Sequence, residues 1–209
     1  MKMKANNFQR LRELGLYQQV AVAATLMERM LPNYQLFAEL MNFGNSTLVR
    51  HSLDLVWEWL AVKKAKINFA RLTDELAEVI PEVNHYDCFG VYPAVDTATA
   101  LETLLTGIEQ RDSADIINVA KISQASVARL IEHESAELDI TSEAELKQHV
   151  RKHPLMQYEM ECLAELIDWV SEIRQFDWEQ VKKLKLWVAE QGVSNLGMEL
   201  TVEDGSDEQ

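Results

Sequence analysis

Apolar residues recur at intervals of three and four along almost the whole chain, which is the spacing of one face of an α-helix. Turn-forming residues are scarce, with only 7 Gly and 4 Pro among 209 residues, less than half their usual share. The pattern predicts an all-α protein, with a single compact domain of about nine or ten helices over residues 1–200. Residues 201–209 form a short extended acidic tail that we expect to be disordered.

The ends of the predicted helices follow from residues that start or stop helices. Pro32 interrupts the apolar pattern of residues 16–31 and is expected to begin a new helix that stops near Gly44. Later helices are expected to begin at polar caps or at proline and to end at glycine. These residues are Ser46, Pro93, Asp112, Ser142 with Glu145, Pro154, Asp177 and Gly192.

The segment 47–66 carries apolar or small residues on most of its circumference. Only Arg50, Asp54 and Glu58 form a clear polar stripe. A helix of this kind usually lies at the centre of a domain. We therefore expect this segment to be the central helix.

The formal net charge is −14, and it is unevenly distributed. Residues 1–100 carry 10 basic and 11 acidic side chains, whereas residues 101–209 carry 10 basic and 23 acidic ones. An acidic half repels phosphate backbones and anionic lipids, so neither nucleic acid nor a membrane surface is an expected partner. Two cysteines and no long apolar stretch predict a cytoplasmic protein with free thiols.

The spacings typical of catalytic and metal sites are not found. Gly-x-Ser-x-Gly and His-Glu-x-x-His are both absent. Glu82 and His85 have one Glu-x-x-His spacing, but a helical di-iron site needs two such pairs. We therefore assign no catalytic residue, no metal ligand and no cofactor.

Residues 81–93 form the longest stretch without helical spacing, and connections of this length tend to be functional. A small-molecule site is predicted here and in the first turn of the next helix, with Tyr92 and Asp96 as its main groups and His85 as the base. The alternative is a structural plug of aromatic residues. The candidate ligand-binding residues are His85, Tyr86, Asp87, Tyr92 and Asp96.

Four acidic residues are spaced to line one face of a later helix. They are Glu161, Glu165, Asp168 and Glu172. Such a row is either a solvated helix face or a docking strip for a basic protein partner.

The chain resembles the YjaG-like family, a bacterial family of proteins of unknown function. The resemblance runs in order through residues 8–200 and is strongest at 89–96 (FGVYPAVD). The other matching segments are 27–34 (MERMLPNY), 43–44 (FG), 53–58 (LDLVWE), 66–69 (KINF), 80–81 (IP) and 194–197 (SNLG). The resemblance implies a compact, all-helical cytoplasmic protein, and it supplies no reaction, cofactor or catalytic residue.

The sequence therefore leaves the function unknown and favours one hypothesis over two others. The favoured one is a non-enzymatic helical protein that binds another protein through an apolar or acidic helix face. The second is a small-molecule-binding protein or weak enzyme with its site at residues 81–96. The third is homo-oligomerisation, in which the near-neutral and acidic halves of two copies pair.

Overall fold

A computed structural model describes residues 6–137, 140 and 142–199 of the chain. Over these residues the chain forms a single all-α domain of nine helices, and its one β-type contact is an isolated bridge between Val193 and Glu199. The predicted fold class is thus confirmed, while the predicted tail, 201–209, lies outside the described residues. The helices are α1 (Asn7–Glu13), α2 (Leu16–Met41), α3 (Ser46–Ala61), α4 (Phe69–Ala77), α5 (Val91–Gln110), α6 (Ser113–Glu134), α7 (Glu143–Lys152), α8 (Pro154–Ser171) and α9 (Trp178–Gln191).

Helix α2 lies at the centre of the domain and packs against α3, α5, α6, α8 and α9. All nine of its residues from 19 to 27 are buried, as expected for a helix covered on every side. The prediction that the segment 47–66 is the central helix was wrong. Helix α3 ends at Ala61 and buries one face, on which Trp57 is fully buried.

The prediction that Pro32 separates two helices was also wrong, because α2 continues through it. Proline removes one backbone donor and crowds the preceding turn, which usually breaks or kinks a helix. Here that turn receives donors from other parts of the chain. The Asn195 N–H donates to the carbonyl oxygen of Arg29 at 3.1 Å, and the Thr97 hydroxyl donates to that of Met30 at 3.1 Å.

Several of the predicted helix starts agree with the structure, whereas α5 begins at Val91, two residues before the predicted Pro93. Asp112 and Asp177 cap α6 and α9, and Ser142 with Glu145 forms the capping box of α7. The cap of α3 is Asn45, one residue before the predicted Ser46, and its side chain accepts a hydrogen bond from the Leu48 N–H at 2.9 Å. Within the part of the chain that the structure describes, no helix is both long and apolar enough to cross a membrane.

Candidate functional site

The connection between α4 and α5 spans residues 78–90 and contains one 3₁₀ turn, Val83–His85. His85 and Asp87 are exposed in it, and His85 Nε2 lies 3.5 Å from Oε2 of Glu82. No hydrogen bond or ion pair among the described residues joins His85 to Asp96. The structure therefore does not bring the predicted base to the predicted acid.

Tyr86 packs into an aromatic cluster rather than facing an open site. Its ring centroid lies 4.9 Å from that of Phe37 and 5.8 Å from that of Phe43, in edge-on arrangements. The base of the connection is held nearby, because the Tyr34 hydroxyl donates to the carbonyl oxygen of Val79 at 2.8 Å. For Tyr86 the structure thus agrees with the alternative expectation of an aromatic plug.

Tyr92 and Asp96 do come together, one turn apart on α5, and Arg129 of α6 covers both. The guanidinium carbon of Arg129 lies 5.2 Å from the centroid of the Tyr92 ring. Arg129 Nη2 lies 3.5 Å from Oδ1 of Asp96. The two predicted site residues therefore share one cation.

Basic and aromatic neighbours extend this cluster along α6. His133 stacks on Phe89 with the ring centroids 4.5 Å apart, and Phe89 lies 5.9 Å from the Tyr92 ring. The sequence interpretation missed Arg129 and His133 because it followed only the apolar stripe of α6. Their spacing, i and i+4, places both side chains on one face of α6, and this spacing is the feature of the sequence that could have indicated them.

The surroundings of Asp96 change the acidity of its carboxyl group. Burial raises its pKa, and the positive charge of Arg129 opposes the rise without cancelling it. Asp96 Oδ2 and Ser126 Oγ are both buried, and the Ser126 hydroxyl faces the Asp96 carboxylate and also opposes the rise in its pKa. A buried carboxyl with a raised pKa beside a cation is found in many functional sites. Among the described residues, no three His, Cys, Asp or Glu side chains converge as metal ligands.

The predicted acidic row lies on the exposed side of α8, as the spacing requires. Two of its members have partners within the molecule. Asp168 pairs with Arg10 of α1, and Glu165 accepts a hydrogen bond from the Trp187 indole N–H at 3.1 Å. Glu161 and Glu172 complete the row and are exposed. Half of the row therefore ties helices together instead of standing free for a partner.

A groove of about 970 Å³ runs beside the C-terminal half of α2. The start of α3, the end of α9 and the segment after α9 form its other walls. None of the candidate residues from the segment 81–96 lines it. Its larger apolar lining residues are Leu31, Leu36, Phe43, Val188 and Met198.

The charges that remain unpaired in this groove are negative. Arg50 donates to both carboxylate oxygens of Glu28, at 2.5 and 2.9 Å, and also pairs with Asp54 at 2.8 Å. Glu39 and Glu199 are exposed and form no ion pair with any described residue. A ligand in the groove therefore meets two free carboxylates and a guanidinium that is already neutralised.

An apolar strip continues from the groove onto the surface of α2. It consists of Leu36, Leu40 and Met41, whose exposed fractions are 43%, 68% and 39%. Leu40 follows Leu36 by one helical turn, so the two side chains lie on the same face. A single exposed leucine is ordinary, but a cluster beside a groove is typical of an interaction surface.

A buried polar network holds the segment that forms the C-terminal wall of the groove. Arg29 is fully buried and donates to Glu159, which also accepts a hydrogen bond from the Ser123 hydroxyl at 2.6 Å. The Asn195 side chain donates to Ser123 Oγ at 3.2 Å and accepts from Asn33 Nδ2 at 2.8 Å. This network anchors Asn195 and thereby places the wall residues that follow it. No sequence motif predicted it.

Known proteins resemble this chain over nearly its whole length. It is 36% identical to the uncharacterized protein YjaG of Salmonella typhimurium over 190 residues, which are 90% of this chain and 94% of that protein. An uncharacterized protein of Haemophilus influenzae is 33% identical over 91% of this chain and 95% of its own length. A crystal structure of a DUF416 family protein from Shewanella baltica matches with a TM-score of 0.86 and 36% identity, over 94% of this chain and 100% of the other.

The model of a family described as protein of unknown function (DUF416) matches residues 6–199. The relatives named YjaG agree with the resemblance found in the sequence motifs, and all of the curated relatives are called uncharacterized. The chain therefore belongs to the DUF416 family, whose function is unknown.

Proposed function

We propose that this chain is an interaction protein whose groove binds a basic amphipathic segment of another protein. The observation that supports the proposal is the joint presence, at one end of α2, of an exposed apolar strip and two unpaired carboxylates. Apolar side chains of the partner would pack against Leu36 and Phe43. Its lysine or arginine side chains would approach Glu39 and Glu199.

This arrangement has the parts that helix-in-groove recognition uses. The groove supplies an apolar floor for anchor side chains, and its rim supplies the charges that fix their register. The net charge of −14 adds long-range attraction for a basic segment. Salt should weaken the complex, because the carboxylates of Glu39 and Glu199 are exposed to solvent.

Site-specific photo-crosslinking in cells of the natural host tests the proposal. A photoreactive phenylalanine replaces Leu36 in the groove, and in a matched control it replaces Leu186, which is 51% exposed on α9 and does not line the groove. We expect one protein to crosslink to position 36 and not to position 186. Mass spectrometry of the crosslink should locate a basic amphipathic segment in that protein.

Three results would contradict the proposal. One is no crosslink from position 36, and a second is the same set of products from positions 36 and 186. The third is a crosslink to another copy of this chain, which would assign the groove to homo-oligomerisation. A Glu39→Lys variant adds a direct test of charge, since it should abolish the specific product.

A cytoplasmic location is part of the same proposal. Cys88 and Cys162 are both free thiols in the structure, which suits a reducing compartment. Fractionation of the host should recover the chain with cytoplasmic markers. Recovery with the periplasmic or membrane fraction would exclude a cytoplasmic partner.

The second candidate function is a small-molecule site at Tyr92, Asp96 and Arg129. The burial and raised pKa of Asp96, and the cation that it shares with Tyr92, favour it. A fragment screen by ligand-observed NMR, repeated with Asp96→Asn, tests this candidate. A fragment that binds only the natural sequence would support it, and the absence of such a fragment would remove it.

A further inference from the structure

A second cavity lies at the opposite end of α2 from the groove. It has a volume of about 750 Å³, within the usual range for small-molecule sites. Its walls are the start of α2, the end of α3 with the loop that follows, Arg111 after α5, and the loop between α8 and α9. We refer to it as the basic cavity.

Four cations line the basic cavity, although the chain as a whole is strongly acidic. They are Lys63, Lys64, Arg111 and Arg174, and no carboxylate side chain lines the cavity with them. None of the four forms an ion pair or a side-chain hydrogen bond with any described residue. All four are exposed to solvent, and with no carboxylate beside them their combined positive potential suits the cavity to an anion.

Two of these cations stand where the backbone itself disfavours a side chain. Lys64 has φ of 65° and Arg111 has φ of 55°, both in the left-handed region that favours glycine. Arg111 is the C-cap of α5, and its N–H donates to the carbonyl oxygens of Gly107 and Ile108. Side chains at such positions carry a conformational cost, which is consistent with a use for their charge.

The mouth of the basic cavity also presents a flat aromatic surface. Tyr17 and Trp59 stack with their ring centroids 4.6 Å apart and their planes within 10°. Trp59 is supported from another direction by the edge-on ring of Phe69, at 6.5 Å, while Tyr17 remains 50% exposed. A further planar ring can therefore extend the stack on Tyr17. The Trp59 indole N–H has no acceptor among the described residues and is free to donate to a ligand.

Hydrogen bonds within the protein hold the wall of the basic cavity that the loop after α8 forms. The Gln18 side-chain amide donates to the carbonyl oxygens of Val170, Ser171 and Ile173, at 3.1 to 3.2 Å. The Gly15 N–H donates to Gln18 Oε1 at 3.0 Å. These bonds fix the loop after α8, which carries Arg174, against the start of α2, which carries Tyr17.

We infer that the basic cavity binds a phosphate ester that contains a planar aromatic ring, of about the size of a nucleotide. The phosphates lie among the four cations, and the ring stacks on Tyr17. This site lies apart from the groove and does not depend on the function proposed for it.

Calorimetry on the full chain tests the inference with three probes: ADP, inorganic tripolyphosphate and adenosine. Tripolyphosphate carries the charge without the ring, and adenosine carries the ring without the charge. We expect ADP to bind at least 10-fold more tightly than either of the others, since only ADP uses both parts of the site. Raising the salt concentration should weaken ADP binding.

Two variants separate the contributions of charge and ring. Arg111→Gly removes a cation and relieves a positive φ, so the fold should be retained while ADP affinity falls about 10-fold. Lys182→Gln is its control, because Lys182 is an exposed cation that does not line the cavity. Tyr17→Leu should reduce the affinity for ADP and leave that for tripolyphosphate unchanged.

Several outcomes would overturn the inference. They are a lack of ADP binding, equal affinities for ADP and tripolyphosphate, and equal losses in Arg111→Gly and Lys182→Gln.

Discussion

Glu28 and Arg29 are adjacent residues of α2 whose ion pairs lie in contrasting surroundings. The Glu28 side chain is 12% exposed at the groove, where it accepts hydrogen bonds from Arg50 and the Trp57 indole. Arg29 is fully buried, and its ion-pair partner, Glu159, has a side chain only 1% exposed. The Arg29 Nε and Nη2 atoms have no hydrogen-bond partner among the described residues, and the Tyr158 ring lies 5.5 Å from the guanidinium carbon.

The difference shows how much the value of an ion pair depends on water. Arg50 and Asp54, which are partly exposed, can exchange a lost partner for solvent, so the network there should weaken by degrees. Arg29 and Glu159 have no such replacement, and each is tolerated only because the other is present. We therefore expect the buried pair to contribute to the uniqueness of the fold more than to its net stability.

Breaking the buried pair should give the largest effect. Glu159→Gln keeps the shape of the side chain but leaves Arg29 as an uncompensated buried charge. We expect a loss of about 3–5 kcal/mol in the free energy of unfolding, measured by urea denaturation.

The control is the double variant Arg29→Met with Glu159→Leu, which removes both charges together. It should recover most of the stability lost by Glu159→Gln, because paired buried charges exchange well for apolar groups. If the double variant loses as much as the single one, the network contributes chiefly through its hydrogen bonds.

Removing Asn195 should have an intermediate effect. Asn195→Ala leaves Asn33 and Ser123 without their amide partner, and about 1–3 kcal/mol should be lost in the same urea experiment. Glu199→Gln, on the exposed part of the same segment, should stay within about 0.5 kcal/mol of the natural sequence. Equal effects of the two substitutions would mean that Asn195 does not anchor the wall of the groove.

The smallest expected effect is a pH dependence in the surface network. Burial alone would raise the pKa of Asp54, but the hydrogen bond from Lys185 and the charge of Arg50 outweigh it and lower the pKa below 3.8. A depressed pKa stabilises the folded state above the unfolded value and loses this contribution as the pH falls. Asp54→Asn should therefore cost a few tenths of a kcal/mol at pH 6, because the group is partly exposed. The cost should shrink towards pH 3 in thermal melts.

Asp96→Asn should show the opposite pH dependence of stability in the same thermal melts. Because burial raises the pKa of Asp96, the charged form of this group destabilises the folded state at neutral pH. The stability of the natural sequence relative to Asp96→Asn should thus increase as the pH falls through the raised pKa towards 4. Parallel trends for Asp54 and Asp96 would contradict these assignments.

The sequence predicted best those features whose causes are local. Ser142 with Glu145, and Asp177, start their helices because their side chains bond backbone groups within one turn. The prediction that Pro32 ends a helix was wrong for the opposite reason. The donors that bond the carbonyl groups of the turn before Pro32 come from Thr97 and Asn195, which lie far along the chain.

The candidate site shows the same division. Tyr92 and Asp96 were found because they follow a conspicuous loop, and their spacing put them on one helix face. The charge that joins them, Arg129, comes from the next helix and looks like any exposed arginine in the sequence. The buried pair of Arg29 and Glu159 is harder still to predict from the sequence. The two residues lie 130 positions apart, and nothing local indicates that either is buried.

The buried network also has a consequence for how the protein is made. Asn195 is added to the growing chain 166 residues after Arg29, which at about 5–20 residues per second takes roughly 8–33 s. Until then the backbone carbonyl of Arg29 and the side chains of Asn33 and Ser123 lack their partner in Asn195. We therefore expect this part of the core to close last, when the segment after α9 leaves the ribosome. A ribosome that stalls before Asn195 would leave the Arg29–Asn33 stretch of α2 without these partners, and we expect that stretch to be the part of the helix open to chaperones and proteases.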